Sequence, residues 1–239
     1  MPTRPAPAYL QIASQLRDRI DSGELPTGSP LPSERDLAES LGVSRMTARH
    51  AIMVLESEGH VYRHTPRGTF VASPRLPMRI GSFSDEVARS GAAPGDELLW
   101  AEAQTPTQTV REALALRGRA KVHAIQRLRT ADDEAVAIET TYFPAALTPG
   151  LLAEQLVGSL WSLLRDRYDL VAARASASLE VVALDEVSAR RLAARLAAPG
   201  ILVTRRTFDA DGTCFEFARD LYRADRVEFR VDAQVDVPR

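Results

Sequence analysis

Apolar and polar positions along the first third of the chain follow a helical period. Tyr9, Ile12, Leu16 and Ile20 recur at three- and four-residue spacing, which predicts a helix with one apolar face. Gly23 is placed to end it. The stretch Leu25–Pro32, with three prolines, reads as a rigid loop. Ser33 then caps a short second helix, with Asp36 three residues on to complete a reciprocal cap, and Leu41-Gly42 closes it. Ser44 caps a third helix that runs to about Glu58 and stops at Gly59; Ala48, Ala51, Ile52 and Leu55 share one of its faces. The period then shortens. Val61-Tyr62-Arg63 and Thr69-Phe70-Val71 read as two short strands joined by Thr65-Pro66-Arg67-Gly68.

Beyond Ser73-Pro74-Arg75-Leu76-Pro77 the pattern changes to strands interrupted by helices. Strands are predicted at Leu98–Thr105, Val122–Thr130, Val136–Tyr142, Ala173–Val182, Leu202–Asp209, Cys214–Tyr222 and Val227–Val235. Helices are predicted at Ser84–Ser90, Gln108–Leu116, Ser159–Asp166 and Asp185–Ala197. Asp132-Asp133 and Asp211-Gly212 mark hairpin turns. Consecutive hairpins imply a mainly antiparallel sheet with helices laid on it, an α+β domain. The expected organisation is therefore a helical domain over residues 1–72, a linker over 73–80 and a larger domain over 81–239.

Composition narrows the function classes. The chain has 239 residues, 45% of them hydrophobic and 26% charged, which suits folded domains and not a disordered chain. A single cysteine, Cys214, excludes a disulfide framework and a cysteine-based zinc site. Neither a long apolar run nor a secretion signal is present, so a cytoplasmic protein without membrane contact is expected. A net charge of −2 argues against coating nucleic acid by bulk charge, while leaving a local basic surface open. Lys121 is the sole lysine among 30 basic residues, so arginines inform by position alone.

Three helices followed by a two-stranded wing form a winged helix-turn-helix, whose third helix lies in the major groove. That helix opens Ser44-Arg45-Met46-Thr47-Ala48-Arg49. Arg45 and Arg49 share the face opposite the apolar set, and a guanidinium matches guanine O6 and N7 with two bonds. Arg35 on the preceding helix is placed for a phosphate or the groove edge, and the Ser44 hydroxyl with the helix N-terminus also suits a phosphate. The stretches Leu31-Pro32-Ser33-Glu34-Arg35-Asp36-Leu37-Ala38, Leu41–Arg49, Leu55-Glu56-Ser57-Glu58-Gly59 and Arg67-Gly68-Thr69-Phe70-Val71 closely resemble the GntR family of bacterial transcription regulators. The resemblance implies that Arg35, Ser44, Arg45, Thr47 and Arg49 face double-stranded operator DNA, with Arg67 and Gly68 in the wing. Pro66 stands where the family wing usually has its first glycine. Proline has no N–H and cannot adopt positive φ, so the contact at the wing tip falls to Arg67 through charge.

The second domain resembles the UTRA effector-binding domain of the HutC subfamily, through Ser82–Glu86, Gln126–Arg129, Ala137–Tyr142, Gly158–Leu164, Phe215-Glu216-Phe217 and Tyr222–Arg226. The implied fold is similar to chorismate lyase. Arg127 and Arg129 point to the same face of one strand and need negative charge between them. Glu139 is placed across the ladder, Glu216 and Tyr222 share a parity, and Ser159 opens a helix that suits an anion. These positions and Ser84 line the effector pocket in the members that bind sugar phosphates. Trp161 replaces the tyrosine expected there, keeping a ring but exchanging O–H for N–H. The alternative is an internal ion network of Arg127 and Arg129 with Glu139 and Glu216.

The expectation is a ligand-responsive regulator, a repressor, acting as a homodimer joined through the second domain. Its effector would be a small anion, a phosphorylated sugar or a small carboxylic acid. A scaffold whose second domain only dimerises is the competing reading, and a lyase-like enzyme is a further one. Catalysis is disfavoured: His50, His60 and His64 belong to the first domain, His123 stands alone, and Cys214 has no partnered base. Metal-ligand spacing, phosphate loops and dinucleotide motifs are absent from the sequence, so neither metal nor cofactor is expected.

Overall fold

The computed structural model describes residues 6–64, 67–72 and 75–231. The chain divides into two compact units, Met1–Arg75 and Leu76–Arg239.

In the first unit, α1 (Ala8–Asp21), α2 (Glu34–Leu41) and α3 (Arg45–Ser57) precede the hairpin of β1 (Val61–His64) and β2 (Gly68–Val71). Both predicted caps form. Ser33 accepts the Asp36 N–H, and Ser44 accepts the Thr47 N–H. Gly42, at φ 63°, closes α2 in the left-handed conformation that glycine adopts freely. The apolar faces meet in one core of Ile12, Leu16, Leu37, Ala48, Ile52, Leu55, Val61 and Val71. Leu31 also joins this core, and its N–H bonds the Thr69 carbonyl, so the proline-rich loop is pinned along β2.

The second unit is built on a six-stranded antiparallel sheet, in the order β4-β5-β6-β9-β8-β7. These strands are β4 (Pro94–Gln104), β5 (Val122–Ala131), β6 (Glu134–Pro144), β7 (Arg174–Ala183), β8 (Pro199–Phe208) and β9 (Cys214–Arg223). Against one face lie α4 (Phe83–Arg89), packed on Ala137, Val203 and Tyr222, and α6 (Leu160–Tyr168), packed on Ile125, Phe143 and Phe215. α5 (Gln108–Ala113) packs on Val122 and Phe217, and α7 (Glu186–Arg191) on Ile138 and Leu221, residues of opposite parity to those under α4.

Several expected boundaries move. Residues 76–78, read as linker from Pro77, form strand β3 (Leu76–Met78), which pairs in parallel with β10 (Val227–Phe229). The prolines mislead because β3 is an edge strand, where a missing N–H is tolerated. β10 ends at Phe229, and residues 232–235 of the predicted strand lie outside the described residues. The helix expected over Asp185–Ala197 stops at Arg191, because Ala193 and Ala197 take positive φ and fold Leu192 into the core. The alanine-rich pattern favours helix locally, and tertiary packing overrides it. β4 begins at Pro94, four residues before the expected start.

Candidate functional site

On the first unit the candidate surface is the outer face of α3. Its apolar face is consumed by the core, so alternation around the helix leaves Arg45, Met46 and Arg49 exposed. Arg45 approaches Glu34 at 3.6 Å yet keeps most of its side chain in solvent, and Arg49 makes no ion pair among the described residues. The Ser44 hydroxyl lies 2.8 Å from that of Thr47 while capping the helix, so both open the N-terminal turn. No carboxylate lies in the first turn of α3, whose N–H groups and partial positive charge suit a phosphate. Arg35 is exposed on α2, 3.7 Å from Asp36 and 3.9 Å from Glu39. Arg67 and Gly68 are exposed at the hairpin, where Tyr62 and Phe70 stack at 5.8 Å; Pro66 lies outside the described residues.

On the second unit a cleft opens over β5, β6, β8 and β9, between the N-termini of α4 and α6. Arg127 and Arg129 stand side by side, as strand parity predicts, with 3% and 2% of their surfaces exposed. Glu139 is Arg127's direct partner in the ladder, and Arg127 Nη2 donates to both of its carboxylate oxygens (2.9 and 3.1 Å). Burial disfavours the charge on Glu139, but Arg127 and Arg129 outweigh it and hold its pKa at about 2. Arg129 Nη2 donates to the Ser84 hydroxyl (2.7 Å), and its guanidinium lies 4.6 Å from the centre of the Phe83 ring.

Three residues that pattern reading missed complete the cluster. Asp96 Oδ2 accepts from Arg127 Nη1 (2.9 Å) and Arg129 Nη1 (3.4 Å). Arg205 on β8 donates to Glu216 (3.3 Å) and to the Gly81 carbonyl (2.9 Å), and lies 3.7 Å from Asp220. Burial opposes its charge, yet Glu216 and Asp220 raise its pKa above the ordinary arginine value. Burial pushes the Asp220 carboxyl up to about 8, Arg205 opposing and Glu139 and Glu216 adding to the rise. Parity flagged Glu216 and Tyr222 on β9, and Asp220 lies on the same face.

Ser159 caps α6 by accepting the Ser162 N–H, so its hydroxyl already has a backbone donor. Glu216, expected to line the cleft, instead sits behind Trp161, whose Nε1 donates to both of its oxygens (3.1 and 3.2 Å). The Thr207 hydroxyl also donates to Glu216. The Arg205 guanidinium lies 5.3 Å from the centre of the Trp161 ring. Tyr222 lines the cleft, buried beside Phe83 at a ring distance of 6.4 Å, and burial raises its pKa. The cavity measures about 20 Å³, room for a water molecule.

Residues 8–71 match the family described as bacterial regulatory proteins, gntR family, and residues 89–228 match the UTRA domain. The chain belongs to the gntR family of regulators. It is similar to the transcriptional repressor NagR of Bacillus subtilis, 35% identical over 228 residues that cover 94% of each chain. It is also similar to the transcriptional repressor PhnF of Mycolicibacterium smegmatis, 31% identical over 222 residues, 92% of this chain and 90% of that one. The crystal structure of PhnF from Mycobacterium smegmatis matches at a TM-score of 0.68 and 29% identity, covering 94% of this chain and all of that one. Regulators of this family bind operator DNA and respond to ligands. This gntR-family chain is therefore a transcription regulator and not an enzyme.

His123 is buried, its Nδ1 lies 3.0 Å from the Thr148 hydroxyl, and burial lowers its pKa. Burial raises the pKa of the Cys214 thiol, the reverse of what activates a nucleophile. Among the described residues no helix is long and apolar enough to cross a membrane, and no His, Cys, Asp and Glu group has metal-binding placement.

Proposed function

We propose that the protein is a repressor that binds a two-fold operator as a homodimer in the cytoplasm and is controlled by a small anionic metabolite, a phosphorylated sugar. The observation that carries this reading is the pair of buried guanidiniums beside the α6 N-terminus, with Glu139 and Tyr222 lining the same cleft. Planar guanidinium forks suit phosphate or carboxylate oxygens. Arg127, Arg129 and Ser159 would take the anion. Glu139, Tyr222 and Trp161, with Glu216 behind Trp161, would take or shape the polar body, and Ser84 steadies Arg129. A relative in Escherichia coli, 26% identical over 231 residues (95% of this chain, 96% of that one), is named repressor of the mannosyl-D-glycerate transport/metabolism system. Mannosyl-D-glycerate is itself an anionic carbohydrate.

On the DNA side, Arg45 and Arg49 would read bases, while Arg35, Ser44, Thr47, Arg67 and Gly68 would meet the backbone or the groove edge. β7 supports the dimer. Among the described residues it is a sheet edge, paired with β8; its exposed side chains include Leu179 and Val181, and Val181 is 81% exposed. Antiparallel pairing with the same edge of a second copy would be two-fold symmetric and would cover that backbone.

Thermal denaturation with a panel of hexose phosphates, sugar acids and neutral sugars tests the proposal. A ligand at about 100 times its Kd stabilises by ~2.7 kcal/mol, which raises the melting temperature of a domain this size by roughly 5–10 °C. Stabilisation by a phosphorylated sugar and none by its neutral parent is expected. Stabilisation by the neutral sugar alone overturns the anionic assignment.

A further inference from the structure

The two guanidiniums that line the cleft already have acceptors in the protein itself, so an incoming anion must take donors from them. Those contacts centre on one carboxylate. Asp96 lies opposite Arg129 in the β4–β5 ladder, and its side chain is 7% exposed. Its Oδ2 accepts from Nη1 of both arginines, and its two oxygens accept the Gly158 N–H at 3.0 and 3.1 Å. Gly158 immediately precedes Ser159, the N-cap of the nine-residue α6.

The donors that Asp96 engages are those an incoming anion would seek: two guanidinium forks and a backbone N–H at a helix N-terminus. The Gly158 and Leu156 carbonyls accept from Arg127 Nη1 at 2.8 and 3.3 Å, so the loop before α6 is drawn onto the same guanidinium. Further donor capacity is idle. Nε of Arg127 and Nε of Arg129 are buried, and neither has an acceptor within hydrogen-bond distance. Donors left without acceptors inside a protein mark a site that a further oxygen-rich group would satisfy.

We propose that Asp96 is a built-in competitor for the effector's anion: it occupies the arginine and Gly158 donors in the unliganded protein, and ligand binding proceeds by exchange of one anion for the other. This rests on the anionic-effector reading above. Exchange frees the start of β4 from the loop before α6, so occupancy of the cleft becomes a change in how two elements are tied together. The Ser84 hydroxyl on α4, in the segment leading into β4, accepts from Arg129 Nη2, and the same exchange therefore reaches α4. A simple tether differs from a competitor in the sign of its effect on affinity. Removing a competitor tightens anion binding, and removing a tether that shapes the site weakens it.

The test uses the full chain and isothermal titration with inorganic phosphate and with glucose 6-phosphate. Asp96→Asn keeps the shape and removes the charge; Asp96→Ser repeats the measurement with a smaller neutral group. Glu97→Gln, an exposed neighbour on β4, controls for loss of one negative charge at a distance. Both Asp96 variants are expected to bind phosphate and glucose 6-phosphate at least tenfold more tightly than wild type, with Glu97→Gln within twofold of wild type. Equal or weaker binding by the Asp96 variants overturns the proposal, as does an equal gain in Glu97→Gln. Failure of both Asp96 variants to fold also overturns it, because a contact built for exchange cannot be indispensable to the fold. Arg127→Lys separates the underlying reading: unchanged glucose 6-phosphate affinity there removes the arginine seat itself, whatever the Asp96 variants show.

Discussion

Replacing Arg127 by alanine should damage the fold of the second unit as well as its response to ligand. The side chain is 3% exposed and donates to Asp96, to both oxygens of Glu139 and to the carbonyls of Leu156 and Gly158. Its loss leaves two buried carboxylates with diminished partners. Glu139 keeps Arg129 Nη1 at 3.5 Å and the Thr141 hydroxyl at 3.3 Å, and Asp96 keeps Arg129 and the Gly158 N–H. Removing one member of a buried ion pair typically costs ~3–5 kcal/mol. For a domain of this size each kcal/mol moves the melting temperature by roughly 2–4 °C, so a fall of roughly 6–20 °C is expected. Scanning calorimetry on the full chain measures it, with the first unit as internal reference. Adding Glu139→Gln to Arg127→Met should recover much of the loss, since the pair is then replaced by neutral groups. A melting temperature for Arg127→Ala within about 2 °C of wild type would show that the ion cluster is not structural. Arg127→Lys keeps the charge beside Glu139 without the planar fork, and is the variant for reading ligand affinity apart from stability.

Arg45→Ala and Arg49→Ala should each weaken operator binding by ~1–3 kcal/mol through loss of a base contact, with melting unchanged because both side chains face solvent; unaltered affinity in both would remove α3 as the reader. Asp220 gives a pH signature. Its folded pKa of about 8 lies above the ordinary 3.8, so the stability linked to it is complete below pH 4 and is lost as pH rises through 8. Urea midpoints should therefore fall between about pH 4 and 8, and Asp220→Asn should flatten the curve; an unchanged slope in the variant assigns the effect elsewhere. Glu139 works in the opposite direction. Its folded pKa of about 2 lies below 4.5, so its contribution is present above pH 4.5 and is lost as pH falls toward 2, a loss that Glu139→Gln should abolish.

What pattern reading could reach follows from the range of the interactions involved. Caps at Ser33 and Ser44 and the apolar face of α3 are local, and they form as the spacing predicts. Strand parity paired Arg127 with Arg129 and placed Glu139 across the ladder, again local geometry once the Asp132-Asp133 turn was recognised. Asp96 was hidden because Pro94-Gly95 looks like a turn, whereas the strand already runs there, Gly95 opposite Thr130. Arg205 was hidden because its value comes from Glu216 and Asp220 on the neighbouring strand, a contact that no residue spacing reveals. The Leu76–Met78 strand escaped for the same reason: its partner, Val227–Phe229, stands some 150 residues away in the chain. Trp161 lines the cleft, and its N–H is taken by Glu216, a partner on another element that spacing along the chain does not reveal.

An anion in the Arg127–Arg129 cleft is expected to control operator binding. Fluorescence anisotropy of the full chain on a labelled DNA fragment carrying its operator, with and without each phosphorylated sugar, tests it most directly. A sugar phosphate that binds the cleft should weaken DNA affinity by ~5–150-fold, the usual span of allosteric coupling, and DNA should weaken the sugar phosphate by the same factor. The effect should vanish in Arg127→Lys. Identical sugar-phosphate affinity in free protein and in the DNA complex would contradict the account, as would an equal response from Arg127→Lys.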